Sequence, residues 1–199
     1  ESQTQYDNPD GLIIKHLSNR DFYISNFNKL ISLIHLAWRL KILIRKNSIE
    51  TVQSHLIRSN IVNVLCKLLG SKHKAIITNH NIISHHRRMG LAGFIKILII
   101  KLFYSFADQA IFISREMQSD FKETLNLRID QQVIYNPHNL NDIISKTSEN
   151  PDFEFNPDFK YIIYFGRLIK RKNVADLITV FAFLKQNYPE IRLIIMGDG

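Results

Sequence analysis

Two cations in a short loop are the residues of this chain whose types and spacing most directly suggest chemistry. Arg167 follows Gly166 at the end of an apolar run, and Lys172 stands five positions later, before a segment with helical periodicity. A second apolar run then leads to Gly197, so the order is strand, basic loop, helix, strand and glycine loop. Ligands of parallel α/β sheets bind at the carboxyl ends of strands, and helix N-termini attract anions. The pattern therefore predicts a diphosphate site.

The same two cations could also assist a reaction. If a diphosphate is the leaving group of a bound substrate, negative charge grows on its oxygens as the bond to it breaks. Fixed cations stabilise the growing charge more than they stabilise the ground state, so Arg167 and Lys172 would make a metal ion unnecessary. The alternative is a basic loop that only solvates a strand end, which is the role assigned to Lys170 and Arg171.

Apolar strand-like runs alternate with helical segments along the chain, which predicts an α/β fold with a parallel sheet. The predicted strands are Leu12–His16, Thr51–Ser54, Ala75–Thr78, Gln109–Ile113, Gln132–Tyr135, Tyr161–Phe165 and Arg192–Met196. The predicted helices are Asn28–Arg45, Leu56–Leu69, Leu91–Phe106, Arg115–Leu125, Leu140–Thr147 and Val174–Asn187. A polar, acidic stretch with Pro151 and Pro157 interrupts the alternation and is typical of a linker between two domains.

Several motifs, weak singly but specific as an ordered set, resemble those of the family-4 retaining glycosyltransferases. The loop Gly166–Lys172 is similar to the Gly-Arg-x(4)-Lys loop of their donor-binding domain. The further similar segments are Thr51–His55, Ile76–Asn81, Ala107–Ser114 and Val133–Asn139, with Asn139 in place of the usual acid. The resemblance extends to transferases that build capsule and cell-envelope polysaccharides. It implies the GT-B fold, in which two Rossmann-like domains bind mainly the acceptor and the donor, respectively.

The same resemblance implies where the domains lie. Residues 1–139 are expected to form the N-terminal, acceptor-side Rossmann-like domain without its first strand. Residues 140–199 are expected to form a linker and the start of the nucleotide-sugar-binding domain. The family's pair of glutamates eight positions apart is also missing, because Glu116 and Glu123 are seven apart and lie in the first domain. We therefore expect the chain to be a fragment of a longer enzyme and to be inactive alone.

The resemblance also implies roles for single residues. Gly166, Arg167, Lys172 and Gly197 are expected to bind the donor. His80 follows a predicted strand and is expected to be the catalytic-site residue that contacts hydroxyls of the transferred sugar, as in family members with lipid acceptors. A lone histidine near a strand end is otherwise usually structural, and that alternative stays open.

No metal site is predicted. His85 and His86 are adjacent, so on a helix they point in different directions and do not form an i, i+4 pair. The single cysteine of the chain excludes internal disulfide bonds and a cysteine-rich metal site. No cofactor is expected besides the nucleotide-sugar donor, which is itself a substrate.

The basic residues are concentrated in the first half of the chain. Residues 1–106 contain 15 Lys and Arg against 5 Asp and Glu, whereas residues 107–199 contain 11 against 13. This asymmetry suggests an anionic partner, although solvated surface lysines would give the same count. The apolar segment Arg87–Phe106 is interrupted by Lys96 and Lys101, so it is not a membrane span. It is either a core helix or a helix that rests on a bilayer, with Arg87, Arg88 and both lysines facing acceptor or membrane.

The predicted function is transfer of a hexosyl group, with retention, from a nucleotide-sugar donor to a saccharide or a lipid-linked saccharide. The donor is expected to be UDP-linked, and the enzyme is expected in the cytoplasm, at the inner face of the cell membrane. Two alternatives stay open. One is a non-catalytic, basic Rossmann-like module that binds an anionic polymer, although no nucleic-acid-binding motif supports nucleic acid as a partner. The other is a different GT-B enzyme, an epimerase or a phosphorylase.

Overall fold

The computed structural model of the protein describes residue 17, residues 26–149 and residues 153–199. These residues form two compact units, which divide between Pro137 and His138. In chain order the elements are α1 (Asn26–Lys46), β1 (Thr51–His55), α2 (Ile57–Leu68), β2 (Lys74–Asn79), α3 (Gly90–Tyr104), β3 (Gln109–Phe112), α4 (Arg115–Leu125), β4 (Asp130–Val133), α5 (Leu140–Lys146), β5 (Lys160–Phe165), α6 (Val174–Asn187) and β6 (Ile191–Met196). Short 3-10 helices span Ser84–Met89 and Lys170–Lys172. The predicted strand Leu12–His16 lies outside the described residues.

The first unit is built on a parallel sheet of four strands, in the order β1, β2, β3, β4. Parallel neighbours cannot be joined by a tight turn, and here α2, α3 and α4 make the three crossovers. The strands pair in a continuous register, in which Ile77 lies beside Ser54 on one side and Ala110 on the other. Because every strand runs the same way, the ends of β1 and β2 lie at one edge of the sheet.

The main core of this unit lies where α2, α3 and α4 meet the sheet. Its largest fully buried side chains include Tyr104, Phe112 and Phe121. Full burial of a large apolar side chain stabilises a fold by about 1.5–3 kcal/mol, so this cluster holds the three helices on the strands. A smaller cluster joins α1 to α2 and contains Cys66, which is fully buried.

A buried polar network fixes α2 against β1 and β2. Asn63 donates from Nδ2 to the Val52 carbonyl at 2.9 Å, and its Oδ1 lies 2.8 Å from Nε2 of His73. Nδ1 of His73 lies 2.9 Å from the Ser71 hydroxyl. Burial, followed by the charge of Lys67, lowers the pKa of His73. The imidazole is therefore held neutral inside the unit.

The second unit is a parallel pair of strands, β5 and β6, joined by α6. Within residues 138–149 and 153–199 no side chain is buried, so this unit has no closed core of its own. At the amino ends of its strands, Arg192 lies 3.5 Å from the ring centre of Phe159. Lys185 donates there to the carbonyls of Pro189 and Ile191, at 3.1 and 2.8 Å.

The element boundaries follow the prediction closely, with one shift. Strand β4 spans Asp130–Val133, whereas the apolar run predicted Gln132–Tyr135. The partner strand decides this, because β3 begins at Gln109, which pairs with Asp130. Pairing therefore starts on polar residues, and the last ladder bond is from the Ile134 amide to the Phe112 carbonyl at 2.9 Å.

Candidate functional site

The predicted donor loop is an extension of the strand pair in the second unit. Beyond the last paired residues, the Gly166 amide donates to the Met196 carbonyl at 3.0 Å. The Leu168 amide donates to the Asp198 carbonyl at 2.8 Å. The loops after β5 and β6 are thus hydrogen-bonded to each other, which fixes the backbone on both sides of Arg167.

Glycine is required where these two loops touch. Gly166 and Gly197 both have φ near +150°, a conformation that residues with a Cβ rarely adopt. A Cβ added to Gly197 would lie 1.9 Å from the Gly166 carbonyl oxygen. That contact is with backbone, which cannot rotate away, so the approach of the two loops depends on the missing side chain.

The basic residues of the loop are available to a ligand. Arg167 is followed by the 3-10 helix Lys170–Lys172 and then by Asn173, whose φ is 51°. Helix α6 begins directly afterwards, without a side-chain cap. Among the described residues, none of the cations Arg167, Lys170, Arg171 and Lys172 has an ion-pair or side-chain hydrogen-bond partner.

This arrangement suits an anion with several oxygens. The uncapped N-terminus of α6 presents backbone N–H groups and the positive end of the helix dipole. The nearby Arg167 adds a planar, bidentate donor, and Lys172 adds a compact positive charge. The site would therefore favour a diphosphate, as the spacing of these residues predicts.

A pair of histidines lies at the carboxyl edge of the first sheet. His55 ends β1 and His80 directly follows β2, and the two strands are neighbours. Nδ1 of His55 lies 2.8 Å from Nε2 of His80, and their ring centres are 5.1 Å apart. The sequence pattern indicated His80 as a site residue and did not single out His55. The signal was available, since both histidines come at the ends of predicted adjacent strands.

The pair holds His80 in its uncharged form. Burial, followed by the neighbouring His55, lowers the pKa of His80. A proton added to the pair would place a positive charge beside the partner ring and remove the lone pair that accepts the hydrogen bond. His80 is therefore a neutral imidazole at pH 7, with a partly exposed ring at the edge where ligands bind.

Asp120 fixes the loop that follows His80. Its carboxylate accepts the Ile83 amide at 2.6 Å and the Ser84 amide at 3.2 Å. These amides are at the start of the 3-10 helix Ser84–Met89. The negative carboxylate therefore lies at the positive end of that helix, where its charge is favourable. Asp120 belongs to α4, 37 residues from Ile83, and no sequence pattern links the two.

The predicted acceptor or membrane-facing cations lie on this 3-10 helix and on α3. Arg87, Arg88 and Lys101 are exposed, whereas Lys96 is half-buried. Gly93 allows the two helices to touch, because a Cβ there would lie 1.7 Å from the His86 carbonyl oxygen. The basic 3-10 helix is thereby held directly against the start of α3.

Helix α3 is neither fully a core helix nor fully exposed. Gly93, Ile100 and Tyr104 are buried against the core. The opposite face, together with the residues just beyond the helix, exposes the large apolar side chains of Met89, Leu91, Phe94, Ile95, Leu98, Ile99, Leu102 and Phe106. At 100° per residue, Lys96 and Lys101 lie on the two borders of this exposed apolar face.

No helix among the described residues is long and apolar enough to cross a membrane.

Comparison with known proteins decides the family. The family model described as "Glycosyltransferase Family 4" matches residues 7–142, and the model described as "Glycosyl transferases group 1" matches residues 145–199. The chain belongs to glycosyltransferase family 4. The first match covers the unit with the histidine pair, and the second covers the glycine loops and their cations.

Two curated relatives are also glycosyltransferases by name. The chain is 27% identical over 173 residues to the N-acetylgalactosamine-N,N'-diacetylbacillosaminyl-diphospho-undecaprenol 4-alpha-N-acetylgalactosaminyltransferase of Campylobacter jejuni, covering 86% of this chain and 46% of that protein. It is 27% identical over 146 residues to an uncharacterised glycosyltransferase of Methanocaldococcus jannaschii, covering 70% and 35%. The chain therefore spans less than half the length of the curated relatives that it matches.

The solved structure titled "OtsA apo structure" matches with a TM-score of 0.67 at 12% identity, covering 86% of this chain and 43% of that one. Together with the parallel sheet, this likeness confirms the predicted α/β, GT-B fold class. The family matches do not favour the alternatives of a non-catalytic binding module, an epimerase or a phosphorylase. The roles of the individual site residues stay predictions.

Proposed function

We propose that the full-length protein transfers a sugar from a nucleotide-sugar donor to a lipid-linked or polysaccharide acceptor, with retention of the anomeric configuration. The observation that supports this function is the open anion site of the second unit. Its cations have no partners within the described residues, its backbone is fixed by paired glycine loops, and a helix begins beside it. Structural cations are normally paired or solvated singly, whereas this cluster lies where α/β sheets bind ligands.

In this proposal Arg167 and Lys172 hold the donor diphosphate and stabilise it as it leaves. Bond cleavage between sugar and diphosphate moves negative charge onto the diphosphate oxygens. Cations and helix N–H groups that are already in place need no reorganisation when this happens, so they lower the barrier without a metal ion. Gly166 and Gly197 contribute by letting the two loops approach each other closely beside the cations. A UDP-linked hexose is the donor that we propose.

His80 is proposed to contact hydroxyl groups of the transferred sugar. A neutral imidazole suits this role, because it forms directional hydrogen bonds without attracting water as an ion would. Its partner His55 limits the rotation of the ring. Because the lowered pKa keeps His80 uncharged at neutral pH, we assign it to sugar recognition and positioning.

The acceptor is proposed to be presented at an anionic membrane surface, at the inner face of the cell membrane. The Campylobacter relative is named for an acceptor linked to diphospho-undecaprenol, a lipid. In this chain, α3 exposes a continuous apolar face bordered by two lysines, and the 3-10 helix before it adds Arg87 and Arg88. Residues 84–107 contain no Asp or Glu. Apolar side chains between snorkelling lysines are the arrangement expected of a helix that lies in a bilayer interface.

Nucleotide binding tests the donor site. In the full-length protein, Arg167→Ala and Lys172→Ala are each expected to weaken binding of UDP or of the UDP-sugar. Loss of a charge-assisted contact is worth about 1.5–3 kcal/mol, or roughly 10- to 150-fold in Kd, by calorimetric titration. Lys170→Ala in the same loop is the matched control and should change Kd little. Wild-type affinity and turnover in both variants would contradict the donor site.

Liposome sedimentation tests the membrane contact. The protein should bind vesicles with anionic lipid more strongly than neutral vesicles, since each cation near such a surface contributes about 1 kcal/mol. The double variant Lys96→Glu, Lys101→Glu should lose this preference. The double variant Lys72→Glu, Lys74→Glu makes the same charge change on exposed lysines that do not belong to α3 and should keep it. Equal binding to both lipids, or stronger binding to DNA or RNA run in parallel, would contradict the membrane contact.

A further inference from the structure

A short chain of side chains connects Gln53 to His80. Gln53 and His55 are two residues apart on β1, so their side chains share one face of the sheet. The Gln53 amide nitrogen lies 3.0 Å from the Thr78 hydroxyl oxygen and 3.4 Å from Nε2 of His55. Nδ1 of His55 then lies 2.8 Å from Nε2 of His80. Each ring nitrogen in this series except Nδ1 of His80 has a partner among the described residues.

The order of donors and acceptors follows from Gln53, the first residue of the series. An amide nitrogen can only donate, so Nε2 of His55 accepts from Gln53. A neutral imidazole has a single N–H, and the proton of His55 is therefore on Nδ1, which donates to Nε2 of His80. His80 must then have its own proton on Nδ1. The result is an ordered series of hydrogen bonds that runs from Gln53 through His55 to the open nitrogen of His80.

We propose that Gln53 and His55 are positioning residues that set the tautomer of His80, so that it presents an Nδ1–H donor to the ligand. Gln53 and His55 need not touch the ligand for this role. With Nε2 occupied by His55, Nδ1 is the ring nitrogen that can reach a sugar oxygen, and it reaches that oxygen as a donor. His80 in this state accepts no proton from the acceptor hydroxyl at Nδ1.

This inference rests on the proposed function and makes it more specific. A donor at this edge selects ligand oxygens that accept, such as a hydroxyl or a ring oxygen. The opposite tautomer would present a lone pair, which would accept a hydrogen bond from a hydroxyl group and could act as a base. The inferred role of His80 is therefore recognition of a sugar oxygen, with no transfer of a proton. The lowered pKa of His80 agrees with an imidazole that stays neutral while it does so.

A second glutamine on the same face of the sheet, Gln109, provides a control. Gln53 is in register with Ile76, and Ile76 is in register with Gln109 on β3. Gln109 therefore lies on the same face, two strands away, and its side-chain amide nitrogen lies 3.4 Å from Oε1 of the Gln132 side chain. Replacement of either glutamine by glutamate makes the same change of charge and shape, but only Gln53 contacts His55.

The test is the tautomer itself, read from imidazole 15N chemical shifts of the histidine-labelled full-length protein at pH 9. In the unchanged protein, His80 should show its proton on Nδ1. In Gln53→Glu the carboxylate can only accept, so His55 should donate from Nε2 and accept at Nδ1. His80 should then donate from Nε2, and its Nδ1 should lose the proton. Gln109→Glu should leave the tautomer of His80 as in the unchanged protein, and His80→Gln identifies the signal.

Two results would overturn the inference. One is a His80 proton on Nε2 in the unchanged protein, and the other is an Nδ1 proton that persists in Gln53→Glu. As a second readout, Gln53→Glu should lower kcat for sugar transfer while leaving the Kd for UDP unchanged, because the diphosphate cations are not touched. The shifts are measured without substrate, so a failure of the proposed transfer activity would show as absent UDP binding and would leave the tautomer result standing.

Discussion

The carboxyl edges of the two sheets use opposite ways to prepare for a ligand. At the edge of the first sheet, His55 and His80 are already hydrogen-bonded to each other, and the loop beyond them is held by Asp120. At the edge of the second, the backbone is fixed by paired glycine loops, while Arg167 and Lys172 have no side-chain partner among the described residues. One edge is ordered through its side chains and the other through its backbone.

The difference follows from what each edge has to recognise. A sugar hydroxyl is neutral and is recognised by direction, so the donor and acceptor atoms of an imidazole must be set in advance. A diphosphate is recognised mainly by charge, which acts without strict direction and survives some motion of long side chains. Exposed cations are well solvated, so leaving them unpaired costs little until the anion arrives. Two predictions test this contrast at the two edges, and two more test interactions that support the units, from the largest expected effect to the smallest.

The largest effect is expected from Gly197→Ala, which attacks the backbone of the second edge. The new Cβ would lie 1.9 Å from the Gly166 carbonyl oxygen, at a residue with φ of +150°. Overpacking costs about 1–3 kcal/mol and a backbone conformation that residues with a Cβ rarely adopt about 1–3 kcal/mol, so we expect a loss of about 2–6 kcal/mol in unfolding free energy. Denaturant titration of the full-length protein measures it, and UDP binding should weaken in parallel.

Gly90→Ala is the control for this experiment in the first unit. Gly90 has φ of +60°, but nothing lies within 4 Å of an added Cβ. With ψ of −138° Gly90 lies outside the left-handed helical region, and only a conformational cost of about 1–3 kcal/mol applies there. If Gly197→Ala proves no more destabilising than Gly90→Ala, the close approach of the two glycine loops is not what the structure describes.

His80→Ala should separate the two edges by function. Loss of a partner for a bound sugar oxygen costs about 1–3 kcal/mol, which predicts a 5- to 150-fold lower kcat/KM for sugar transfer. The Kd for UDP should stay the same, because the diphosphate cations are unchanged. Tm should change little, because the ring of His80 is partly exposed and, within the described part of the chain, bonds only to His55. A large fall in Tm with normal turnover would mean that His80 is a structural residue.

A smaller effect is expected from Asp108→Ala, which tests the ion pairs that support each unit. Asp108 lies 2.5 Å from Lys67 and accepts the Ala75 amide at 2.7 Å. Burial raises the pKa of Asp108, but the bonds from Lys67 and Ala75 outweigh it and lower the pKa below 3.8. Because the pair is about one-third exposed, its loss should cost about 1–2 kcal/mol of unfolding free energy at pH 7.

The comparison is with the second unit, in which Asp142 and Lys146 form an exposed pair at 3.1 Å. Asp142→Ala should cost only about 0.3–0.5 kcal/mol.

The contribution of Asp108 also depends on pH. Since the pKa of Asp108 is lowered in the folded state, its contribution to stability is complete above pH 3.8 and is lost as the pH falls through the folded value. Equal losses for the two variants at pH 7 would remove the contrast between the units.

The smallest effect is a dependence of stability on pH that comes from His73. Burial and the charge of Lys67 lower the pKa of this imidazole below 6.5, so the folded state binds the proton less well than the unfolded state. Stability should therefore be constant above pH 6.5 and fall as the pH drops from 6.5 through the lower folded value. Denaturant titrations between pH 8 and pH 5 measure the slope. His73→Gln should flatten it, and an unchanged slope in that variant would assign the effect to another histidine.

The sequence by itself determined the elements and the basic loop. Helices α4 and α6 begin and end at their predicted residues, because apolar periodicity and polar flanks are local signals. The segment Gly166–Lys172 was recognisable for the same reason, since its residues lie close together in the chain. The glycine at position 197 was also expected, although its contact with Gly166 was not.

The tertiary structure alone decided the features that depend on distant residues. His55 meets His80 because the register of β1 with β2 brings two strand ends to one edge, 25 residues apart in the chain. Asp120 reaches the loop beyond His80 across 37 residues. Apolar residues occur on nearly every side of α3, so its sequence alone does not indicate which face is buried. Packing against the rest of the unit decides this. Local patterns specify where elements form, whereas side-chain partners are set by the alignment of elements in space.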